Sequence, residues 1–226
     1  MPTVPLPENP HLGALRTQAR RLQRAARAGD RQALDLIAEH HPDALAAAST
    51  TPLSAAQLVV ARRYGFASWP RLRRHLDVVR EHTWNPSTSD VDEPAAARFC
   101  RLACLNYTDD TPAHRATAVD MLADDPTLST RDIWCAAATA RPEAVRRMLA
   151  DDPGLARRRG GAQGWSPLFH LAYSRMPDPG DPGPALHTAR ALLDAGADPN
   201  EGYLWRGLPT PFTLLTGLFG EGEQGP

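Results

Sequence analysis

Residues 148–153 read MLADDP, and residues 121–126 read MLADDP as well. A hexapeptide repeated at an interval of 27 residues is the mark of a repeating structural unit, and such a unit predicts further, weaker copies elsewhere in the chain. Each copy closes a helix. In PEAVRRMLADDPGL (142–155), Pro142 suits the first helical position, where its missing N–H costs nothing. Val145, Met148 and Leu149 recur at i, i+3 and i+4 and form one apolar stripe. Pro153 then prevents the helix from continuing. Upstream, DIWCAAATA (132–140) reads as a second, shorter helix rich in Ala. Neither helix can bury its apolar face alone, so units of this kind must stack. Met121 and Met148 are therefore expected at equivalent buried sites in the second helices of neighbouring units.

A third copy lies near the start. With a shift of 111 residues, LQRAARAGDRQALDLIAEHHPDAL (22–45) overlays IWCAAATARPEAVRRMLADDPGLA (133–156). Leu22 falls on Ile133, Ala33 on Ala144 and Pro42 on Pro153, while Gly29 falls at the inter-helix join where the later copy has Ala140. Asp30 is placed to cap the second helix of that copy.

The most specific copy is GWSPLFHLAYS (164–174) followed by ALHTARALLDAGADPN (185–200). Ser166 is an N-cap with Pro167 at the first helical position, Gly196 supplies a left-handed helix end, and Asp198-Pro199-Asn200-Glu201-Gly202 supplies a turn. This segment resembles an ankyrin repeat, with Ser166-Pro167-Leu168 matching T-P-L and Leu192-Leu193 with Gly196-Ala197-Asp198-Pro199-Asn200 matching L-L-x-x-G-A-D-x-N. Thr51-Pro52-Leu53 and Thr210-Pro211-Phe212 follow the same register and are read as the starts of first helices, whereas Thr111-Pro112 is an ordinary cap of a second helix. The units are degenerate. Ser54, Phe169 and Thr213 stand where the family has His, and MPDPGDPGP (176–184) inserts a loop between the helices of one repeat. YGFASWPRL (64–72) also resembles a motif of bacterial ankyrin-like proteins. The resemblance implies an all-α, ankyrin-type helix-pair solenoid of about five and a half units.

Helix pairs are expected near 13–41, 53–81, 95–123, 131–150 and 166–194, with a half-pair at 210–217. The chain then divides into a Pro-rich arm (1–12), an N-terminal helix-pair block (13–82), a linker (83–93), a repeat block ending in a half-repeat (94–219) and a flexible tail (220–226).

Composition narrows the chemistry. All 25 basic residues are Arg, so a Walker-type phosphate loop, a Schiff-base Lys and a Lys general base are excluded. The net charge of −1 gives no global pull toward nucleic acid or membrane. No apolar run is long enough to span a bilayer, and MPTVPLPENP at the N-terminus has no signal-peptide character. Three Cys without a spaced framework fit reduced thiols and a cytoplasmic location.

No arrangement points to catalysis, a metal or a cofactor. His40-His41 is read as a polar helix end, because the equivalent positions of the later copy are Asp151-Asp152. Cys100 and Cys104, four apart on one helix, are read as core residues beside Phe99 and Leu102. Ser166 with His170 is explained by capping, and no G-x-S-x-G is present. Arg16, Arg20, Arg24, Arg27 and Arg31 follow helical spacing, with further charge at Arg62, Arg63, Arg71, Arg73 and Arg74. A solvated face is the plainer reading of that stripe; an acidic ligand or nucleic acid bound through the N-terminal block is the alternative.

The resemblance implies binding of a protein partner through inter-repeat loops and the concave helix face. Trp165, Tyr203, Trp205 and Arg206 fall in or beside those loops, and Trp and Tyr are enriched at binding hot spots. Trp165 is the weakest of the four, since packing beneath the adjacent repeat is the better reading of it. Tyr203 and Trp205 are expected on a loop, at least one of them largely exposed. Leu218 and Phe219 in the half-repeat have only one neighbour to pack against, so they are candidates for contact with a partner or a second copy, or mark a cut in a longer array. A regulatory module of a separate enzyme is a further alternative.

Overall fold

Five of the helices begin at a side-chain cap, His11, Asp30, Ser68, Asp132 or Ser166, and left-handed residues follow several helix ends. The computed structural model describes residues 3–7, 10–41, 51–86, 92–105, 111–178, 180–208 and 211–219. Contacts divide the chain into two compact units, Met1–Thr83 and Trp84–Pro226. The chain is mostly helical, as expected.

The first unit is built from α1 (Leu12–Arg27), α2 (Arg31–His40), α3 (Leu53–Arg63) and α4 (Trp69–His82). Gly29 (φ +79°) and Gly65 (φ +83°) close α1 and α3 in the left-handed conformation that glycine adopts without a Cβ clash. Asp30 then caps α2, its Oδ1 accepting from Ala33 N at 2.9 Å. Leu15, Ala19, Leu22 and Ala26 of α1 pack with Ile37, Val59, Val60, Leu72 and Leu76 into an aliphatic core. The N-terminal arm is docked in part: Leu6 packs against this core and Val4 N donates to Arg63 O at 3.0 Å.

The second unit contains α5 (Ala95–Ala103), α6 (Pro112–Asp124), α7 (Ile133–Ala138), α8 (Pro142–Asp151), α9 (Pro167–Tyr173), α10 (Gly183–Asp194) and α11 (Leu214–Phe219). First helices of successive pairs touch, α5 on α7, α7 on α9 and α9 on α11, and the second helices α8 and α10 touch likewise. α11 approaches α9 at a glycine: a Cβ on Gly217 would sit 2.5 Å from the Tyr173 ring and 2.9 Å from Ala172 O. Thr111 precedes α6 without the side-chain capping bond expected of it.

The repeated hexapeptide acquires a physical account. In both copies the first Asp lies at the helix end, and the second caps a 3-10 turn, Pro126–Thr130 or Pro153–Arg157. Asp125 Oδ1 accepts from Thr127 N at 3.0 Å, and Asp152 Oδ1 from Gly154 N at 2.9 Å. The other oxygen pairs with an arginine six residues on, Arg131 at 3.0 Å and Arg158 at 2.8 Å. The Thr127 hydrogen bond holds the Asp125 carboxyl below its usual range, with Arg131 assisting. The repeated unit is thus MLADDPxLxxR, longer than the hexapeptide. Met121 and Met148 sit at matching positions of α6 and α8, but both are half-buried rather than buried.

Three expectations are corrected. A small sheet joins the helices: β1 (Thr83–Trp84), β2 (Gly202–Trp205) and β3 (Pro211–Thr213), in the order β1-β2-β3. β2 and β3 pair antiparallel with Tyr203 opposite Phe212, so Pro211 belongs to a strand and α11 begins only at Leu214; Thr210 lies outside the described residues. Strand formation wins there because Phe212 is buried among aromatic rings. The linker at 83–93 fails at both ends. Trp84 is buried in the second unit's core, with its indole N–H donating to Gln163 O at 2.6 Å, and Glu93 forms a bidentate pair with Arg101. Lastly, Arg31 opens α2, beyond the left-handed Gly29, so it does not continue the arginine row of α1. The tail 220–226 lies outside the described residues.

Candidate functional site

Trp165 is fully buried, wedged between Trp84, Phe169, Tyr173 and Phe212 at ring-centroid distances of 5.1, 5.2, 5.2 and 6.1 Å. It is the centre of the second unit's core and leaves the candidate surface. Its position follows from the register of Ser166, which caps α9 with Oγ accepting from Phe169 N at 3.2 Å and turns the preceding residue inward.

Tyr203 is corrected in the same sense. It lies on β2 rather than on a loop, is 3% exposed, and stacks edge-on against Phe169 at 4.9 Å. The hairpin with β3 alternates side chains across its two faces and sends Tyr203 and Phe212 to the core together. The Tyr203 hydroxyl donates to Glu201 Oε1 at 2.5 Å, Ser166 Oγ donates to the other carboxylate oxygen, and the Arg159 guanidinium lies 5.0 Å above the Tyr203 ring. Burial, with the Glu201 carboxylate adding to it, raises the Tyr203 phenol far above its ordinary value. This cluster ties the turn after α10 to the start of α9. Ser166 is buried and its oxygen is committed on both sides.

Trp205 is half-buried, 5.3 Å from the Trp84 ring, so it too is neither on a loop nor largely exposed. Arg206 is exposed at the hairpin tip in a left-handed conformation (φ +48°), with its guanidinium 5.6 Å from the Trp205 ring and its N–H donating to Trp84 O at 2.8 Å. Arg206 and one edge of Trp205 therefore remain on the surface.

Leu218 and Phe219 are where the surface concentrates. They are 57% and 79% exposed, and Leu215, which shares their face of α11 at i and i+3/i+4 spacing, is 63% exposed, whereas Leu214 packs inward. On α10, Leu186 and Leu193 add two more exposed apolar side chains seven residues apart, again on one helix face. Sequence reasoning missed Leu186 and Leu193, although their spacing was a readable signal; the insertion before α10 obscured which face of that helix has a neighbour.

The three cysteines are buried, and of the histidines His170 and His40 are; His40 is therefore an inward residue at the end of α2 rather than part of a polar helix end. Cys100 faces Cys135 across α5 and α7 at an Sγ–Sγ distance of 3.6 Å, rather than its helix-mate Cys104. The hydrogen bond with Cys135, which favours the protonated thiol, and burial behind it raise the Cys100 thiol well above its ordinary value. His170 is fully buried, Nδ1 lies 2.9 Å from Ser166 O, and burial lowers its pKa to about 4, leaving a neutral ring at neutral pH. Among the described residues no group of three His, Cys, Asp or Glu side chains is placed to hold a metal ion, and no helix is long and apolar enough to cross a membrane. Comparison with protein-family models, with curated proteins and with solved structures returns no match for this chain.

Proposed function

We propose that this chain is a non-catalytic, ankyrin-type repeat protein that binds a protein partner through the open side of its last two helices. One observation carries the reading. Nine large hydrophobic side chains are exposed among the described residues, and five of them, Leu186, Leu193, Leu215, Leu218 and Phe219, lie on α10 and α11. In a stack of helix pairs each unit covers the apolar face of the one before it. Among the described residues no helix comes after α11 to cover these two, and apolar side chains left uncovered in this way mark interaction sites. Arg206 and the accessible part of Trp205 add a charged and an aromatic side chain of the kind found at binding hot spots.

The test is co-purification with the full chain as bait, native against Leu218→Ser/Phe219→Ser. Both residues are exposed, so the variant should keep its circular dichroism spectrum. A partner held by the native chain and lost from the variant supports the assignment; equal capture overturns it. Sedimentation over a concentration series separates a heterologous partner from a second copy, since only the latter makes the native chain associate on its own.

A further inference from the structure

Helix α1 runs LGALRTQARRLQRAAR and contains five arginines and no carboxylate. At 100° per residue, Arg16, Arg20 and Arg24 fall within one narrow arc, on the side away from the buried Leu15, Ala19, Leu22 and Ala26. All three are exposed. Elsewhere among the described residues six arginines pair with carboxylates, Arg80 with Asp77, Arg101 with Glu93, Arg131 with Asp125, Arg146 with Glu143, Arg158 with Asp152 and Arg159 with Glu201. Among the described residues no α1 arginine has such a partner, although Arg27 donates to Thr51 O. Like charges four apart on a helix weaken it, so the row is retained against its own local electrostatics.

The rest of the unit does not balance the row. Residues 1–83 carry twelve Arg against seven Asp and Glu, a charge of +5, and residues 84–226 carry thirteen against nineteen, a charge of −6. The overall −1 conceals two oppositely charged units.

We propose that the solvent face of α1, through Arg16, Arg20 and Arg24, docks an acidic polypeptide segment. The helical rise spaces these guanidinium groups about 6 Å apart. Carboxylates at i and i+4 of a partner helix have the same spacing, and those at i and i+2 of an extended strand, roughly 6.6 Å apart, are close to it. Each guanidinium offers a planar fork that binds a carboxylate with two parallel hydrogen bonds. A nucleic acid fits less well. Tyr64, Phe66 and Trp69 are half-buried, and the exposed large hydrophobics of this unit among the described residues are Val4 and Val78, so it presents no open Trp, Tyr or Phe ring for bases to stack on. The surface is independent of the one on α10 and α11, and Phe219→Ser leaves it unchanged.

The test is fluorescence anisotropy with the full chain and three labelled probes: a helical peptide with Glu at every fourth position, the same peptide with Gln, and a single-stranded oligodeoxynucleotide. The Glu peptide binds, its affinity falls as salt is raised, and Arg16→Gln/Arg20→Gln/Arg24→Gln weakens it by about tenfold or more. Arg20→Gln alone gives a smaller loss in the same direction. Circular dichroism establishes that both variants are folded. Equal binding of the Gln peptide, or undiminished binding of the Glu peptide by the folded triple variant, overturns the proposal. Tighter binding of the oligodeoxynucleotide that is lost in the same variant also overturns it, and makes the face a nucleic-acid surface.

Discussion

The two units solve one packing problem with different materials. The first closes its core with Ala, Val, Leu and Ile and among its described residues buries His40 but no Phe, Tyr or Trp, while Tyr64, Phe66 and Trp69 lie half-buried at its margin. The second gathers Trp84, Phe99, Trp165, Phe169, Tyr173, Tyr203 and Phe212 into one interior and buries Gln163 and His170 with them. Small aliphatic side chains need only close helices, and the left-handed glycines at 29 and 65 bring the helices together. Large rings need shaped space, which the strands at 202–205 and 211–213 and the inward-turned Trp84 help to create. The difference teaches that helix-pair spacing alone does not dictate the interior; the inserted elements do.

The comparison breaks most readily at Trp165. Replacing it with Ala removes the ring on which the second core converges and should cost about 3–5 kcal/mol, read as a shifted urea midpoint. A loss below 1 kcal/mol, roughly the average for any substitution, would show that the aromatic cluster is dispensable. Leu149→Ala, in the second helix of the repeated unit, should cost about 2–5 kcal/mol by the same measurement.

Acid should separate the two cores. The His170 pKa is lowered to about 4 in the folded chain from 6.5 when unfolded, because burial disfavours the charged ring. Its contribution is therefore fully present above about pH 6.5 and is lost as pH falls toward 4, a decline of roughly 3 kcal/mol. Denaturation across this range should show the slope for the second unit, and His170→Gln should flatten it. An unchanged slope would assign the acid sensitivity to other groups.

Smaller effects test the repeated motif. Asp152→Ala should cost about 1 kcal/mol, as other capping residues do, while Asp151→Ala at the exposed helix end should stay within about 0.5 kcal/mol. Equal effects would erase the distinction between the two acids. The smallest change is Ala140→Gly. Ala140 holds φ +51° at the join where the first unit has Gly29, and both use the same pair of closing hydrogen bonds. Relief of the left-handed strain, offset by the freedom glycine gains when unfolded, should leave a stabilisation of under about 1 kcal/mol. A clear loss would mean that the buried methyl packs better than the backbone is strained.

Most of the helical framework is legible in the sequence because its signals are local. Pro142 after Arg141, Asp30 after Gly29 and Ser166 before Pro167 each announce a helix start within three residues. The arginines at 131 and 158 that complete the repeat are equally visible, but a hexapeptide ending at proline draws the eye away from them. The sheet is not legible. GYLW and PFT are too short to show an alternation, and the threonine-proline register argues for a helix instead. Trp84 looks like part of a polar connection because its neighbours are polar, and its partners Gln163 and Trp165 lie some eighty residues away. Tyr203 obeys the same logic: a ring beside a turn reads as surface until the hairpin shows which face it occupies. Of the candidate surface, Leu218 and Phe219 are found because one short helix carries Leu214, Leu215, Leu218 and Phe219, more apolar side chains than a single neighbouring helix covers. Trp165 and Tyr203 are misplaced because burial depends on distant segments folding back.

Gly217 carries a genetic consequence. Every amino-acid replacement at this position adds at least one carbon where the Tyr173 ring and the Ala172 carbonyl already stand too close for it. No missense change in that codon is silent to the fold, whereas the neighbouring Leu215, Leu218 and Phe219 codons are free to drift as far as folding is concerned. A mutational scan of this one helix would thus separate two kinds of selection: intolerance at 217 reports on the seat of the helix, and intolerance at 215, 218 and 219 reports on whatever the helix meets.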